Sequence, residues 1–430
     1  MNSAPRPDRR RFLKSATALA VASSAGLVPR TPFAQGAAPR VLVVGGGFAG
    51  ASCARALKRA DSGIAVTLVE PNATYTACPF SNAVIAGLRA PGAQQFTYEN
   101  VAADSIALVR ASASSIDTQA RRVTLADGTR LAYDRLVLAP GIDLRWDALP
   151  GYDEKAAERM PHAWRAGGQT LLLRRQLEAM EDGGLVVISV PANPYRCPPG
   201  PYERASLIAH YLKTKKPRSK LIVLDAKDNF SKQRLFQDAW SEFYPGVLEW
   251  VALSKGGNVG SVELATNTLV TEFGRHRADV ANVIPPQKAG RIAEIAGVAD
   301  RSGWCPIDPV SFESRLQAGI HVIGDAAIAG AMPKSAFAAN AQAKACAEAV
   351  AQLVRGGAPS APKLINTCYS LVAPDYGISV AGVYQPANGL LADVPGAGGA
   401  SPIAAPRTVR AAEAMLAEAW FRTITGEVFG

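Results

Sequence analysis

The stretch RVLVVGGGFAGASCARALKRA, residues 40–60, decides the fold. Val41 to Val44 form a continuous aliphatic run, the mark of a strand buried on both faces. Gly45, Gly47 and Gly50 follow in the pattern GxGxxG, and an alanine-rich helical stretch comes next. A second strand, AVTLVE (65–70), ends in Glu70, twenty residues beyond Gly50. The glycines allow a tight turn, close approach of a pyrophosphate and tight helix packing, while the acid takes a ribose hydroxyl. Strand, turn, helix, strand and acid in this register make an adenine-dinucleotide site.

Two later segments narrow the dinucleotide. YDRLVLAPG (133–141) reads as a strand ending in a small-residue turn at Gly141. GIHVIGDAA (319–327) reads as a strand ending in Gly324-Asp325, ahead of a helix rich in alanine. Both resemble the second and third signatures of FAD proteins of the glutathione-reductase type. The resemblance implies FAD, with Asp325 on the ribityl chain and the following helix directing its positive N-terminus at the pyrimidine edge of the flavin. Lys334, in MPKS, is expected near flavin N1 and O2, where it favours the reduced anion.

In that architecture the FAD domain is interrupted by a second dinucleotide-binding domain, normally for NAD(P)H. The stretch SVPANPYRCPPGPYERA (189–205) is the first turn of that second unit. It follows a strand-like run at 185–190 and precedes a helix from Tyr202 to Lys216 and a strand, LIVLD, ending in Asp225. Prolines at 191, 194, 198, 199 and 201 supply no backbone N–H, whereas a pyrophosphate needs free N–H groups and close backbone approach. The fold of a nicotinamide domain is therefore expected without its ligand site. The predicted fold class is α/β: two Rossmann-like dinucleotide-binding domains, the second inserted in the first, plus a C-terminal α+β domain. The expected divisions are a signal segment at 1–36, FAD-binding parts at 37–150 and 281–360, the NAD-like domain at 151–280, and the C-terminal domain at 361–430.

The chain has 430 residues, 48% of them apolar, ample for several cores, and no apolar run reaches the length of a membrane span. Arg9-Arg10-Arg11-Phe12-Leu13-Lys14, followed by a short apolar run, resembles the twin-arginine export signal, which predicts a periplasmic protein with cleavage between Ala34 and Ala38. Residues 1–35 carry six Arg/Lys (6, 9, 10, 11, 14 and 30) and one acid, Asp8, so they hold +5 of the formal +10. The remainder is mildly basic. KTKKPRSK (213–220), between a helix and a strand, reads as a solvated connector, and nucleic acid is not expected as a partner. The six cysteines form no CxxC or CxxCH motif and the four histidines are scattered, so neither a metal site nor a haem is expected within the chain.

Cys53 and Cys346 lie on alanine-rich helices and read as small core residues, and Cys305, in SGWCPID, reads as structural. Cys78, eight residues after Glu70, lies on a segment that passes beside the flavin ring in this fold; a thiol there is either a buried core group or a point of attachment to the flavin 8-methyl carbon. Cys197 leaves the proline-filled turn and Cys368 opens the C-terminal domain. Pairing of these two is one choice among several from the sequence alone.

PHAWRAGGQT (161–170), RCPPGPYERAS (196–206), IPPQKAG (284–290), GWCPID (303–308), GIHVIGDA (319–326), MPKS (332–335), NTCYS (366–370) and APDYGISVA (373–381) resemble the flavoprotein subunit of flavocytochrome c sulfide dehydrogenase. The resemblance extends over every domain. It implies a redox-active disulfide over the flavin, whose halves are Cys197 and Cys368, and FAD joined by a thioether to Cys78. It also implies a separate c-type cytochrome subunit that carries the haem. Ala77 and Pro79 stand where that family often has threonine and an aromatic residue.

The expected activity is that of a sulfide:cytochrome c oxidoreductase. Hydrosulfide attacks the disulfide, giving a persulfide and a thiolate; the electrons pass to FAD and then singly to the cytochrome. Glu203, at the start of a helix, is the candidate proton carrier, with a first-turn dipole partner as its alternative role. One other reading is sulfide:quinone oxidoreductase, which would want an apolar amphipathic anchor near the C-terminus. Another is a non-catalytic redox partner that reactivates a sulfur-carrier protein with the same disulfide.

Overall fold

The computed structural model describes residues 38–430. The twin-arginine segment and its cleavage region up to Ala37 lie outside the described residues.

The aliphatic run at Arg40–Val44 forms the middle of a five-stranded parallel sheet. Ala65–Val69 and Ala107–Val109 lie to one side of it, Arg135–Leu138 and Ile320–Val322 to the other. Reading the strands in chain order, this is the 3-2-1-4-5 arrangement of a dinucleotide-binding sheet, which opens a crevice at the carboxyl ends beside the first strand. Strands this apolar need cover on both faces. The helices Phe48–Ala60 and Ala336–Val354 supply it on one side, packing through alanines, with Asn340 Nδ2 donating to Ser52 Oγ at 2.9 Å. A three-stranded meander, Ala113–Asp117, Arg122–Leu125 and Arg130–Ala132, leads into the fourth strand.

The second sheet repeats the plan on a smaller scale. Leu185–Val190 is flanked by Lys220–Asp225 and then Leu248–Val251 on one side and by Val280–Val283 on the other, all parallel. The helix after the first strand spans Gly200–Lys215, slightly earlier than expected, because Pro201 suits the first helical turn and has no N–H to leave unpaired there.

From residue 364 the chain changes to antiparallel structure. Leu364–Ala373 pairs with Tyr376–Ala387, the latter with Leu390–Asp393 and Gly399–Ala400, and the 23-residue helix Arg407–Phe429 packs across them. The fold is thus two Rossmann-like domains with a C-terminal α+β domain. Among the described residues no helix is long and apolar enough to cross a membrane.

Candidate active site

The glycine turn is held by contacts that admit no side chain. Gly45 has φ 100°, and a Cβ there would meet Ala139 O at 2.4 Å. A Cβ on Gly50 would meet Gly45 O at 1.7 Å, so that glycine serves the close packing of helix on strand. Gly46, outside the GxGxxG count, is constrained too: a Cβ would lie 2.7 Å from Tyr98 Oη. Its N–H donates to Glu70 Oε2 at 2.8 Å, while Glu70 Oε1 accepts from Asn72 N at 2.9 Å and Asn72 Nδ2 at 2.7 Å. Three donors fill most of the acceptor capacity of a carboxylate and fix it at the end of its strand, with room for a further hydroxyl. Gly47, at the N-cap of the helix Phe48–Ala60, offers no side-chain cap, which leaves first-turn N–H groups for an anion.

This turn forms one end of a cavity of about 620 Å³, a size typical of cofactor sites. Gly45, Gly47, Glu70, Cys78, Gly141, Cys197, Glu203, Gly324, Asp325 and Cys368 all line it. Segments far apart in the chain therefore contribute to a single wall. Gly50 lies behind the turn.

Lys334 sits directly behind two residues that line the cavity, Asp325 and Cys197. Its Nζ donates to Asp325 O and Ala327 O, each at 2.8 Å, and lies 4.0 Å from the centre of the Trp304 ring. The alanine-rich helix that follows starts at Ala336, capped by Ser335 Oγ. Burial lowers the Lys334 ammonium to about 8, opposed chiefly by Asp325. The residues that face the cavity at this helix start are Ser335, Ala336, Phe337 and Ala339.

Asp325 carries the clearest vacancy for a partner. Oδ1 is buried with no hydrogen-bond partner, and Oδ2 is 3.9 Å from Arg196 Nη1. Burial raises its carboxyl above the usual range, against the pull of Arg196 and Lys334. A buried acceptor left unpaired costs about 1–3 kcal/mol, and a ligand hydroxyl would satisfy it. Glycine turn, uncapped helix start, ribose-directed carboxylate and orphan acceptor together fit FAD.

Cys78 is half-buried on the link between the strand Thr74–Thr76 and the helix Ser81–Ile85. Ala77, fully buried, is held by Gln94: its N–H donates to Gln94 O at 2.7 Å and its carbonyl accepts from Gln94 Nε2 at 3.0 Å. Cys197 takes the left-handed backbone conformation, φ 57°. Its N–H donates to Lys334 O at 2.8 Å, tying the second domain's first turn to the FAD domain, and its carbonyl accepts from Gly200 N at 2.8 Å. Cys368 lies on the strand Leu364–Ala373, opposite Val380, with Asn366 Nδ2 3.4 Å from its sulfur. All six cysteines are thiols in the structure, so the expected disulfide is not formed there. Burial, then the nearby charge of Cys368, pushes the Cys197 thiol well above its ordinary range. Cys53, Cys305 and Cys346 are buried, and burial pushes Cys305 up to about 12.

Glu203 joins three parts of the chain. On the helix Gly200–Lys215, its Oε2 accepts from Asn82 Nδ2 at 2.7 Å and its Oε1 from Leu371 N at 2.8 Å. Burial raises its carboxyl despite both donors.

Three cations near the cysteines were not singled out by motif. Arg204 is buried; its guanidinium donates to Asn82 Oδ1 at 3.0 Å, His162 O at 3.0 Å, Asn282 Oδ1 at 2.9 Å and Ala163 O at 2.6 Å, all neutral acceptors. Burial lowers it to about 9. Arg196 donates to Trp164 O and faces Asp325, and Lys232 reaches the Cys368 strand. Arg204 follows Glu203 directly in the quoted turn, but its role depends on contacts with residues 82, 162 and 282, which no local spacing reveals.

The adenosine end of the second domain's nucleotide site is filled by its own side chains. Asp225, the residue placed to hold a ribose, is fully buried and accepts from Tyr202 Oη at 2.6 Å, Lys227 Nζ at 2.6 Å and Trp250 Nε1 at 3.0 Å. Phe230 stacks on Tyr202 at 3.6 Å between centroids and meets the edge of Trp250 at 5.3 Å. Among the described residues no cluster of side chains suits a metal ion.

Residues 39–176 match the pyridine nucleotide-disulphide oxidoreductase family. Residues 170–285 match the central part of the sulfide dehydrogenase [flavocytochrome c] flavoprotein chain, and residues 360–429 the flavin-binding part of flavocytochrome c sulphide dehydrogenase. A flavoprotein-chain sequence of sulfide dehydrogenase [flavocytochrome c] from Chlorobaculum thiosulfatiphilum is 62% identical over 45 residues, 10% of this chain and 94% of that sequence. The mitochondrial sulfide:quinone oxidoreductase of Mus musculus is 22% identical over 304 residues, 66% of this chain and 65% of its own. In structure, the sulfide:quinone oxidoreductase of Aquifex aeolicus superposes with a TM-score of 0.71 at 17% identity, covering 91% of this chain and 92% of its own, a likeness of fold. With family matches on both sides of the cavity and a Chlorobaculum sequence aligned over nearly its whole length, this FAD-binding chain belongs to the flavocytochrome c sulfide dehydrogenase flavoprotein family, within the pyridine nucleotide-disulphide oxidoreductases.

Proposed function

We propose that the chain is the flavoprotein subunit of a periplasmic sulfide dehydrogenase. In this reading a Cys197–Cys368 disulfide takes electrons from hydrosulfide, and a c-type cytochrome in a separate subunit receives them. The observation that carries it is the meeting of Cys197, Cys368, Glu203 and Asp325 on one cavity wall, drawn from three domains.

Gly45 to Gly47, Glu70, Gly141, Gly324 and Asp325 would hold FAD, with Cys78 as the attachment point. Bound FAD supplies an acceptor for an electron pair that is given up again one electron at a time. The protein's own part is exchange at sulfur. Hydrosulfide attacks one sulfur of the disulfide, a new S–S bond forms, and the other sulfur leaves as a thiolate. Arg196, Arg204 and Lys232 favour both anions, since opposite charges attract strongly where water is scarce. Glu203, its carboxyl raised by burial, is suited to hold a proton beside the cysteines and pass it on. Closure of the second domain's nucleotide site supports sulfide, rather than a nicotinamide, as the electron source.

Removal of either cysteine tests the reading. Cys197→Ser and Cys368→Ser are each expected to abolish sulfide-dependent flavin reduction while FAD stays bound and dithionite still reduces it. Peptide mass spectrometry of the oxidised wild type should show the 197–368 linked pair. Wild-type sulfide turnover by Cys197→Ser refutes the mechanism. The likeness to sulfide:quinone oxidoreductases favours a second acceptor, a quinone, so turnover is measured with each: reduction of a quinone but not of cytochrome c supports that reading instead.

A further inference from the structure

Lys232 precedes the helix Gln233–Phe243 in the left-handed backbone conformation, φ 62°. From there its side chain leaves the second domain and reaches the antiparallel pair of the C-terminal domain. Nζ donates to Cys368 O at 3.0 Å, Ser370 Oγ at 2.8 Å and Ile378 O at 3.4 Å. Ser370 and Ile378 face each other across the ladder, so one ammonium grips both strands beside Cys368. Every one of these acceptors is neutral. A partly buried cation with neutral acceptors keeps its appetite for an anion.

The two cysteines differ in this respect. Two cations stand by Cys197: Arg196 spends its charge partly on Asp325, at 3.9 Å, and the Arg204 guanidinium is committed to four fixed acceptors on residues 82, 162, 163 and 282. Glu203, close enough for its charge to disfavour a Cys197 anion, adds to the difference. Burial lowers the Lys232 ammonium to about 8, and Cys368 is the largest of the charges opposing that loss, ahead of Glu203, Cys197 and Glu413.

We propose that Lys232 is the positioning residue that makes Cys368 the departing thiolate, so that the incoming sulfur is taken up on Cys197. This rests on the reading that Cys197 and Cys368 form the disulfide that hydrosulfide opens. The hydrosulfide sulfur bonds to Cys197 Sγ, the Cys197–Cys368 bond breaks, and its electron pair stays on Cys368 Sγ. The proton remains on the transferred sulfur, and the disulfide itself is the oxidant. A departing anion is stabilised where a cation already waits, and the thiolate that is more easily lost leaves faster.

Rapid-quench labelling of the oxidised, FAD-loaded protein tests this. After one equivalent of sulfide without oxygen, the mixture is quenched in acid with an alkylating agent and digested. Wild type is expected to carry the alkyl group on Cys368 and the extra sulfur on Cys197. The extra sulfur on Cys368 overturns the proposal but leaves the pairing intact, whereas an oxidised protein without a linked 197–368 peptide overturns the reading beneath it. Lys232→Met is expected to react about tenfold more slowly, the scale of one charge-assisted hydrogen bond, and to scatter the label over both cysteines. Lys232→Arg is expected to restore the single pattern, which separates a charge effect from loss of packing. Wild-type rate and labelling in Lys232→Met would also overturn the proposal. If that variant loses FAD, the wild-type and Lys232→Arg patterns still decide it.

Discussion

Cys78 shows what one residue's surroundings can and cannot disclose. Its place in sequence, shortly after the acid that ends the second strand, put it beside the flavin, and the structure sets it on the cavity wall. With Ala77 anchored by Gln94 at both its N–H and its carbonyl, the thiol has a fixed origin. Acid precipitation of the protein is expected to leave yellow flavin in the pellet, and Cys78→Ala to release it; flavin recovered wholly in the supernatant of the wild type contradicts the attachment. Gly45, Glu70, Cys197 and Asp325 were legible because local spacing encodes turns and strand ends. The contacts of Lys334 with Asp325, Ala327 and Trp304 were not legible, because MPKS carries no local signal for them. Lys232 and Arg204 were missed because their partners are distant in the chain.

Elements were easier to read than the contacts between them. The final helix, Arg407–Phe429, reaches beyond its own domain. Phe429, at its end, stacks on Tyr75 at 5.1 Å and on Phe96 at 5.4 Å, and meets the edge of Phe48 at 5.9 Å. Phe48 opens the helix that follows the glycine turn, and Tyr75 lines the cavity. Arg55, on that same helix, donates to Glu427 O at 2.9 Å and Gly430 O at 2.7 Å. A period of 3.6 residues marks a helix but not the surface it will meet. Phe429→Ala is expected to cost about 3–5 kcal/mol, as buried phenylalanine truncations do, and to lower the flavin content of the purified protein. Denaturant unfolding with full FAD retention and a loss below about 1 kcal/mol would show the aromatic cluster to be dispensable.

At the scale of the molecule, the two sheets followed from paired strand–turn–helix–strand signals. What could not be read was the fate of the second domain's ligand site. The prolines indicated a lost phosphate turn. The filling of the remaining space by Phe230, Trp250 and Lys227 around Asp225 required side chains from two separate segments. NADH is accordingly expected not to bleach the flavin at concentrations comparable to the protein, checked by anaerobic absorbance; rapid bleaching would show that those side chains move aside.

The aromatic cover at Phe429 also sets an order of events in time. During synthesis the glycine turn emerges early, whereas Phe429, which packs on Phe48 and Tyr75, is made some 380 positions later. Until then the helix that follows the glycine turn lacks its aromatic cover. A chain truncated before this helix is accordingly expected to purify with its first sheet folded and a reduced flavin content.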